Sequence, residues 1–299
     1  MKKSVSMLLA ALMLTGALAG CGSSAFTSDS QAADGADGGV SGAITVISRE
    51  DGSGTRGAFI ELTGVEEKTA DGKKVDNTTA DAEIANKTDV VLTSVAGNEK
   101  AIGYISLGAL NDTVKAVKVD GAEATVDNVK AGAYKLSRPF NIATKGEPTG
   151  VAKDFISFIL SKEGQAVVTD NKYIAVNDAA ESFVSDGSSG QIAVGGSSSV
   201  SPVMEKLIEA YKSVNPNASI DLQTSDSTSG MTGAMDGTFA IGMASRELKD
   251  EEAAQLTGIA IALDGIAVIV NPANTIDELS MDQIKSIYVG DITDWGDLA

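Results

Sequence analysis

Short, β-branched apolar runs alternate with segments of helical periodicity along most of the chain. In the first part this pattern predicts strands at 44–47, 102–106, 114–119 and 134–144 and helices at 57–62, 89–96, 150–160 and 164–169. After a Ser- and Gly-rich segment it predicts strands at 191–194, 219–224 and 239–244 and helices at 202–214 and 231–236. Strands that alternate with helices indicate an α/β fold with mostly parallel sheets.

The first 42 residues follow a different pattern, which predicts an export signal and a tether. Two lysines precede an apolar run at 5–14 that is too short for a membrane-spanning helix. The Leu-Ala-Gly-Cys sequence ending at Cys21 resembles the bacterial lipobox, in which this cysteine carries the lipid. An ordinary signal peptide with an unmodified cysteine is the alternative. Residues 22–42 are mainly Ser, Ala, Gly and Asp, which predicts a flexible tether.

Composition narrows the chemistry of the remaining domain. The chain has no histidine, Cys21 is its only cysteine, and its formal net charge is −18. Zinc sites and Ser-His or Cys-His catalysis are therefore excluded, and we expect neither a metal nor a cofactor. The negative charge repels nucleic acid, so nucleic acid is not an expected partner. An anionic ligand would have to be held by local dipoles.

Three Ser/Thr/Gly loops each join a predicted strand to a predicted helix, at 51–55, 197–201 and 225–229. The free N–H groups and the dipole of a helix N-terminus, together with short hydroxyls, can bind an anion. Ser and Thr also cap helices for structural reasons alone, which is the alternative for each loop. Arg49 precedes the first loop and offers donors that suit a tetrahedral oxyanion, unless it forms a surface ion pair with Glu50 or Asp51.

These segments resemble the phosphate-binding proteins of Pst-type ABC transporters. Arg-Glu-Asp-Gly-Ser-Gly-Thr at 49–55 is similar to that family's Arg-x-Asp-Gly-Ser-Gly-Thr motif, and 196–202 is similar to its N-terminal phosphate loop. Segments 225–230 and 241–246 resemble the parts that follow, and the likeness covers most of 44–298. It implies an α/β, two-lobed type II periplasmic-binding-protein fold with a ligand cleft between the lobes. It also implies an extracytoplasmic, lipid-anchored protein that delivers inorganic phosphate to the permease subunits of an importer.

The resemblance also assigns phosphate-binding roles to individual residues: Arg49, Asp51, Ser53, Gly54, Thr55, Ser198, Ser199, Ser227 and Ser245. In this assignment Arg49 pairs with the anion and Asp51 orients Arg49. Well-known members of the family carry an aspartate at the position of Ser245, where it accepts a proton from phosphate. We therefore expect Asp51 to supply the carboxylate that rejects sulfate; if it does not, Ser245 leaves a softer selectivity.

The order of segments departs from the family pattern, because the motif at 49–55 normally follows the phosphate loop at 196–202. The sequence therefore predicts a circularly permuted chain in which the segment at 185–190 joins the old ends. One lobe would be continuous at 146–264, and the other would combine 43–145 with 265–299. The two crossovers, near Thr144 and Asp264, would form the hinge.

Three other functions fit parts of the sequence. The ligand could be another tetrahedral oxyanion, such as sulfate or molybdate. A surface phosphate-ester hydrolase, or a serine hydrolase using Ser53, would need a lysine base or a metal held by carboxylates alone, and no carboxylate cluster of suitable spacing stands out. A tethered adhesion module would use the Ser/Gly loops only as helix caps. A binding protein without catalytic activity is the expectation.

Overall fold

The computed structural model describes residues 40–298. Its strands are β1 (Thr45–Arg49), β2 (Glu66–Lys68), β3 (Lys74–Asp76), β4 (Glu83–Ala85), β5 (Ala101–Ser106), β6 (Lys115–Ala116), β7 (Lys118–Val119), β8 (Ser137–Thr144), β9 (Gly190–Ser197), β10 (Ala218–Ser225), β11 (Ile241–Ala244), β12 (Thr257–Val270) and β13 (Glu278–Leu279). Its α-helices are α1 (Gly54–Thr63), α2 (Thr88–Ala96), α3 (Val126–Lys130), α4 (Gly150–Leu160), α5 (Lys162–Asp170), α6 (Ser201–Val214), α7 (Ser227–Asp236), α8 (Asp250–Ala253) and α9 (Met281–Val289). Single 3₁₀ turns lie at Leu107–Ala109 and Trp295–Leu298. Among residues 40–298, none of the helices combines the length and apolar character needed to cross a bilayer.

Most strands belong to one mixed sheet with the order β10-β9-β11-β8-β12-β5-β1-β4, and β6 pairs with β12. The outer pairs are parallel, namely β10 with β9, β9 with β11, β5 with β1 and β1 with β4. The central strands β11, β8, β12 and β5 pair in antiparallel fashion. The expectation of a mostly parallel arrangement is therefore wrong for the centre of the sheet. The 14-residue strand β12, which was not predicted, forms the antiparallel pairs with β8, β5 and β6, and β8 also runs antiparallel to β11.

Two hydrophobic cores cover the two halves of the sheet. The first core contains residues of β1, α1, α2, β5, α9 and the end of β12, with Phe59 and Tyr104 fully buried. The second core contains residues of β8, α4, α5, α6 and the beginning of β12, and includes Phe140 and Tyr211. A smaller apolar cluster that includes Met231 lies around α7. Each core buries apolar side chains from both its strands and its helices, as layered α/β structures require.

Strands β8 and β12 each run from one core into the other. β8 reaches the second core at Phe140, and β12 leaves it after Ala262 to reach the first core at Ile266. Between these points Arg138 and Asp264 lie directly opposite each other. The boundary between the cores therefore passes through this cross-strand pair. It passes through β12 at Asp264 and through β8 several residues before Thr144, and the hinge at these strands stays a prediction.

Local sequence explains where some elements differ from their predicted bounds. α7 begins at Ser227 rather than at 231, because the Asp226 side chain accepts a hydrogen bond from the backbone of Ser229 and caps the helix. Pro139 does not interrupt β8, where it lies opposite Leu263, next to the register shift between Ala260 and Ala262. The predicted strand at 114–119 is divided into β6 and β7, which pair with different strands.

The beginning and the end of the described chain lie side by side. Ile44 N–H donates to the Thr293 carbonyl, and Trp295 N–H donates to the Gly42 carbonyl. The Val40 N–H donates to the Thr275 hydroxyl. The last residues of the predicted tether are therefore hydrogen-bonded to the folded body. Cys21, the export signal and the rest of the tether lie outside the described residues.

The Ser/Gly segment that follows residue 184 is fastened to the second core by one carboxylate. Asp154, on α4, is 3% exposed and accepts hydrogen bonds from the Ser185 hydroxyl and the Asp186 backbone at 2.7 and 2.9 Å. It also accepts from the Tyr211 hydroxyl at 2.7 Å and from Asn215 Nδ2 at 3.1 Å. Burial opposes ionisation, but these hydrogen bonds together hold the pKa of Asp154 below its ordinary value of 3.8.

We expect Asp154→Ala to lower the free energy of unfolding by about 3 kcal/mol at pH 7, because several buried donors lose their acceptor. Since the folded-state pKa is lowered, this contribution is present at neutral pH and is lost as the pH falls below about 4. Urea denaturation at pH 7 measures the effect. Asp178→Ala is the matched control, because that carboxylate is 73% exposed. A loss below about 1 kcal/mol would contradict the assigned role.

Candidate functional site

Three strand-to-helix turns meet at the boundary between the two cores. β1 leads into α1 through the loop at 50–53, β9 leads into α6 through 198–200, and β10 leads into α7 at Asp226. Ser53 caps α1 by accepting a hydrogen bond from Arg56 N–H. The residue after β11, Ser245, lies at the same place because its backbone N–H donates to the Ser227 hydroxyl. The three predicted loops are thus brought together.

Seven buried hydroxyls form a hydroxyl cluster at this junction. Its members are Thr55, Thr88, Ser197, Ser198, Ser199, Ser227 and Ser245, and none is more than 7% exposed. Thr55 and Ser199 hydroxyls lie 2.8 Å apart, and Ser197 donates to Ser245 at 2.9 Å. The Ser227 and Ser245 hydroxyls are 3.4 Å apart. Since each hydroxyl can donate as well as accept, the cluster can direct several donors at one anion.

Arg49, which is 2% exposed, supplies the positive charge beside the cluster. Its Nη2 donates to Ser198 Oγ at 3.1 Å, and its Nη1 lies 3.5 Å from Thr88 Oγ1. Glu50 accepts from Nε and Nη2 of the same guanidinium, each at 2.8 Å. The Ala85 carbonyl accepts from Nε at 3.2 Å. The guanidinium is therefore held in place by a carboxylate on one side and reaches the hydroxyls on the other.

Asp51 does not orient Arg49, so this part of the site assignment is corrected. Its side chain is 99% exposed and lies 3.4 Å from Arg56. The neighbouring Glu50, whose side chain is 21% exposed, holds Arg49 instead. The reason is geometric, because β1 ends at Arg49 and the turn that follows directs Glu50 back towards the guanidinium and Asp51 outward to solvent.

A buried tyrosine fixes the backbone at the end of β1. Tyr104 Oη accepts from Arg49 N–H at 3.1 Å and lies 2.9 Å from Ser48 Oγ. Its ring stacks on Phe59 with centroids 3.9 Å apart. Burial raises the pKa of Tyr104, so its hydroxyl stays neutral at physiological pH. The first core thereby sets the position of Arg49.

The two halves touch closely at Gly54. A Cβ atom at this position would lie 2.4 Å from Ser227 Oγ and 2.8 Å from Ser245 Oγ. A second contact between the halves joins the loops, because both Thr228 N–H and Thr228 Oγ1 donate to the Gly52 carbonyl at 3.2 Å. Glycine at position 54 is therefore required for the halves to close at the hydroxyl cluster.

A second buried arginine borders the site. Arg246 is 8% exposed, and its two Nη atoms donate to Glu252 at 2.7 and 2.8 Å. Its Nη2 also lies 3.3 Å from Thr228 Oγ1, and its aliphatic part lies against Gly54. Both arginines are paired with a carboxylate, but the donors of Arg49 reach Ser198 and Thr88 of the cluster, whereas Arg246 reaches Thr228 outside it.

The carboxylates do not contact the hydroxyl cluster directly. Within residues 40–298, no Asp or Glu side chain hydrogen-bonds to any of its seven hydroxyls, and Glu50 approaches them only through Arg49. In the same range there is no group of three His, Cys, Asp or Glu residues arranged to hold a metal ion. The arrangement therefore offers hydrogen-bond donors that suit an oxyanion.

The sequence reasoning identified most of these residues but not all. Three residues that lie at the site were not predicted, namely Thr88, Glu50 and Arg246. Ser197 lies in the predicted loop at 197–201 but was not assigned a phosphate-binding role of its own. Thr88 opens α2, a helix whose preceding loop has no Ser/Gly motif, so only its position before an apolar helix could have pointed to it. Glu50 was considered as an ion-pair partner of Arg49 but not as a member of the site.

Comparison with known proteins gives matches over nearly the whole chain. The family model described as a PBP superfamily domain matches residues 23–163 and 182–299. Phosphate-binding protein PstS 2 of Streptococcus agalactiae serotype V is 49% identical over 300 residues, which cover 99% of this chain and 98% of that protein. PstS 2 of Streptococcus pneumoniae serotype 4 is 48% identical over 296 residues, which cover 99% of each.

A solved structure gives a similar match. The crystal structure of a phosphate-binding protein of a phosphate ABC transporter from Streptococcus pneumoniae TIGR4 has a TM-score of 0.69 and 50% sequence identity, over 86% of this chain and 100% of that chain. Because the PstS 2 alignments run end to end, those proteins share the order in which the Arg49 motif precedes the Ser198 loop.

Proposed function

The chain belongs to the PBP superfamily and, within it, to the PstS phosphate-binding proteins, and on this premise we propose that it binds inorganic phosphate for an ABC-type importer. It acts outside the cytoplasm as the substrate-binding component and hands phosphate to the permease subunits. Its role is binding and not catalysis. The relatives are named as binding proteins, and the site holds hydroxyls and arginine without an acid–base pair.

One observation carries the proposal, namely the convergence of buried hydroxyls from both halves around Arg49. Ser198 and Ser199 come from the loop before α6, Ser227 from α7, and Thr55 from α1. Their hydroxyls, with the guanidinium, can surround a tetrahedral anion and replace its hydration shell. Because the donors come from both halves, a bound anion would hold the cleft closed.

Lipid anchoring at Cys21 is part of the proposal. The Leu-Ala-Gly-Cys sequence after an apolar run supports it, and a lipid on Cys21 would keep the protein at the outer face of the cell membrane. Mass spectrometry of the protein extracted from its native membrane tests this assignment. A mature N-terminus that carries no lipid would overturn it.

Calorimetric titration of phosphate into phosphate-stripped protein tests the proposed function. We expect a single site per chain and a rise in melting temperature, since a ligand that binds only the folded state stabilises it. The absence of both heat and thermal shift would overturn the proposal. A generic phosphate ester in the same protein tests for hydrolysis, for which we expect no turnover.

Sulfate is the second candidate ligand, and the distance of the carboxylates from the cluster favours it. Among residues 40–298, no carboxylate hydrogen-bonds to the hydroxyl cluster, and Asp51 is exposed, so a sulfate lacking a proton would face no repulsive carboxylate there. We expect sulfate at about a hundredfold excess or less to displace phosphate, and Ser245→Asp to remove this competition. Competition calorimetry measures both. Complete resistance of the unmutated protein to sulfate would contradict the expectation.

A further inference from the structure

A buried ion pair lies at the boundary between the two cores, outside the hydroxyl cluster. Arg138 and Asp264 are 2% and 1% exposed, and Arg138 Nη2 donates to Asp264 Oδ2 at 3.2 Å. This is a single contact, unlike the two-pronged pairs of Arg49 and Arg246. Arg138 Nε and Nη1 and the Tyr173 hydroxyl have no hydrogen-bond partner. The hydrogen-bonding capacity of the pair is therefore only partly used. A change in the charge of either residue would leave the other as an uncompensated buried charge.

The groups that face Asp264 come from several elements. Ser106, the last residue of β5, donates to Oδ1 at 3.0 Å. Arg138 approaches from β8, and Tyr173 lies close enough for its ionisation to be affected by both charges. The guanidinium of Arg138 also lies 5.4 Å from the ring centroid of Phe140. Arg138 is thus the cation that compensates the carboxylate.

This pair lies close behind the anion site. In the sheet, β1, β5 and β12 are consecutive neighbours, and Arg49, Ser106 and Asp264 lie near the same edge of that region. Two inter-strand spacings across the sheet, combined with three residues along β12, place the Asp264 backbone roughly 14 Å from that of Arg49. At that distance in a protein interior, a unit charge still acts on an anion bound beside Arg49. Burial, and to a smaller degree the charge of Arg49, lowers the pKa of Arg138.

We infer that Asp264 is a switchable counter-charge for the anion site: while ionised it cancels the field of Arg138, and when protonated it leaves Arg138 as a second cation that strengthens anion binding. This inference rests on the proposed function, because it needs an anion beside Arg49. It makes Arg138 and Asp264 residues that tune affinity without touching the ligand.

The environment of Asp264 places this change within an accessible pH range. Burial is the main influence and raises the pKa of Asp264 to about 6, although Arg138 and Ser106 act in the opposite direction. A raised folded-state pKa for an acid means that protonation favours the folded protein. Stability from this group therefore increases as the pH falls from about 6 towards 4, opposite to the effect of Asp154.

Asp264→Asn tests the inference, since asparagine resembles the neutral acid. We expect phosphate affinity at pH 8 to rise about three- to tenfold above that of the unmutated protein. The ratio of the two dissociation constants should approach one at pH 5. At that pH most Asp264 of the unmutated protein is protonated and therefore neutral, as asparagine is in the variant. Using the ratio cancels the titration of phosphate itself. Asp277→Asn, which removes an equal charge from a carboxylate 81% exposed, is the matched control and should leave affinity unchanged.

A second variant keeps the inference testable if Asp264→Asn does not fold. Ser106→Ala removes one hydrogen bond to the carboxylate and should move the pH at which affinity changes upward. Equal affinities of Asp264→Asn and the unmutated protein at pH 8, or a ratio that does not vary with pH, would overturn the inference. If the unmutated protein binds no phosphate at all, the proposed function fails first, so the two failures are distinguishable.

Discussion

Gly54→Ala should weaken phosphate binding by at least about a hundredfold while leaving the fold intact. The new methyl group would lie 2.4 Å from Ser227 Oγ and 2.8 Å from Ser245 Oγ, which is closer than atoms can approach. Since Gly54 belongs to one half and both serines to the other, the clash can be relieved by opening the cleft. Phosphate would then lose donors from one side. Calorimetric titration and thermal unfolding of the ligand-free protein measure the two effects separately.

Gly57→Ala is the matched control for this prediction. Position 57 is one turn further along α1, and an added Cβ would make only an ordinary contact of 3.7 Å with Arg246 Cδ. Alanine also favours the helix over glycine, so stability should rise slightly and affinity should stay unchanged. A similar loss of affinity in both variants would show that the effect lies in α1 and not in closure at the hydroxyl cluster.

Arg49→Ala should reduce phosphate affinity by a similar or larger factor. Removing one partner of a buried, charge-assisted interaction costs on the order of 3–5 kcal/mol, and here it also leaves Glu50 facing the anion without compensation. Arg49→Lys should recover part of the loss, because it restores the charge but not the fork of donors. Dissociation constants at two salt concentrations measure the effect.

Asp51→Asn is the control in the same loop. The Asp51 side chain is exposed and does not contact the guanidinium of Arg49. Neither the phosphate affinity nor the competition by sulfate should therefore change. A marked loss of phosphate selectivity in this variant would restore Asp51 to the site and contradict the position found in the structure. A loss of less than tenfold in Arg49→Ala would show that Arg49 does not meet the anion.

Local motifs made much of the site predictable. Short sequence patterns mark Arg49, the glycine-containing turn after it and the serine loop before α6. Each pattern is typical of a strand-to-helix junction, where it can bind an anion. The two-lobed binding-protein fold expected from the resemblance is confirmed by the matches to the PBP superfamily model and to the streptococcal structure. The roles of individual residues in phosphate binding remain predictions.

The features that the sequence did not predict depend on the direction of side chains and on strand pairing between distant parts of the chain. Glu50 and Asp51 are adjacent carboxylates of similar chemistry, and only the turn after β1 decides which one reaches Arg49. Strand β12 is apolar almost without interruption in its second half, a pattern that a buried strand and a buried helix share. Its antiparallel pairing with β8 and β5 joins residues more than a hundred positions apart, which no local pattern specifies.

The pairing of Gly42 with Trp295 has a mechanical consequence. The chain enters the folded body at the start of β1, whereas Arg49 lies at the other end of that strand, about 13 Å away. A pulling force applied to the chain on the N-terminal side of Val40 would therefore act on β1 and on the segment around Trp295, which both belong to the first core. It would not pass along β8 and β12 across the boundary between the two cores. The attachment point therefore lies within one core, and the load does not reach the ion pair of Arg138 and Asp264.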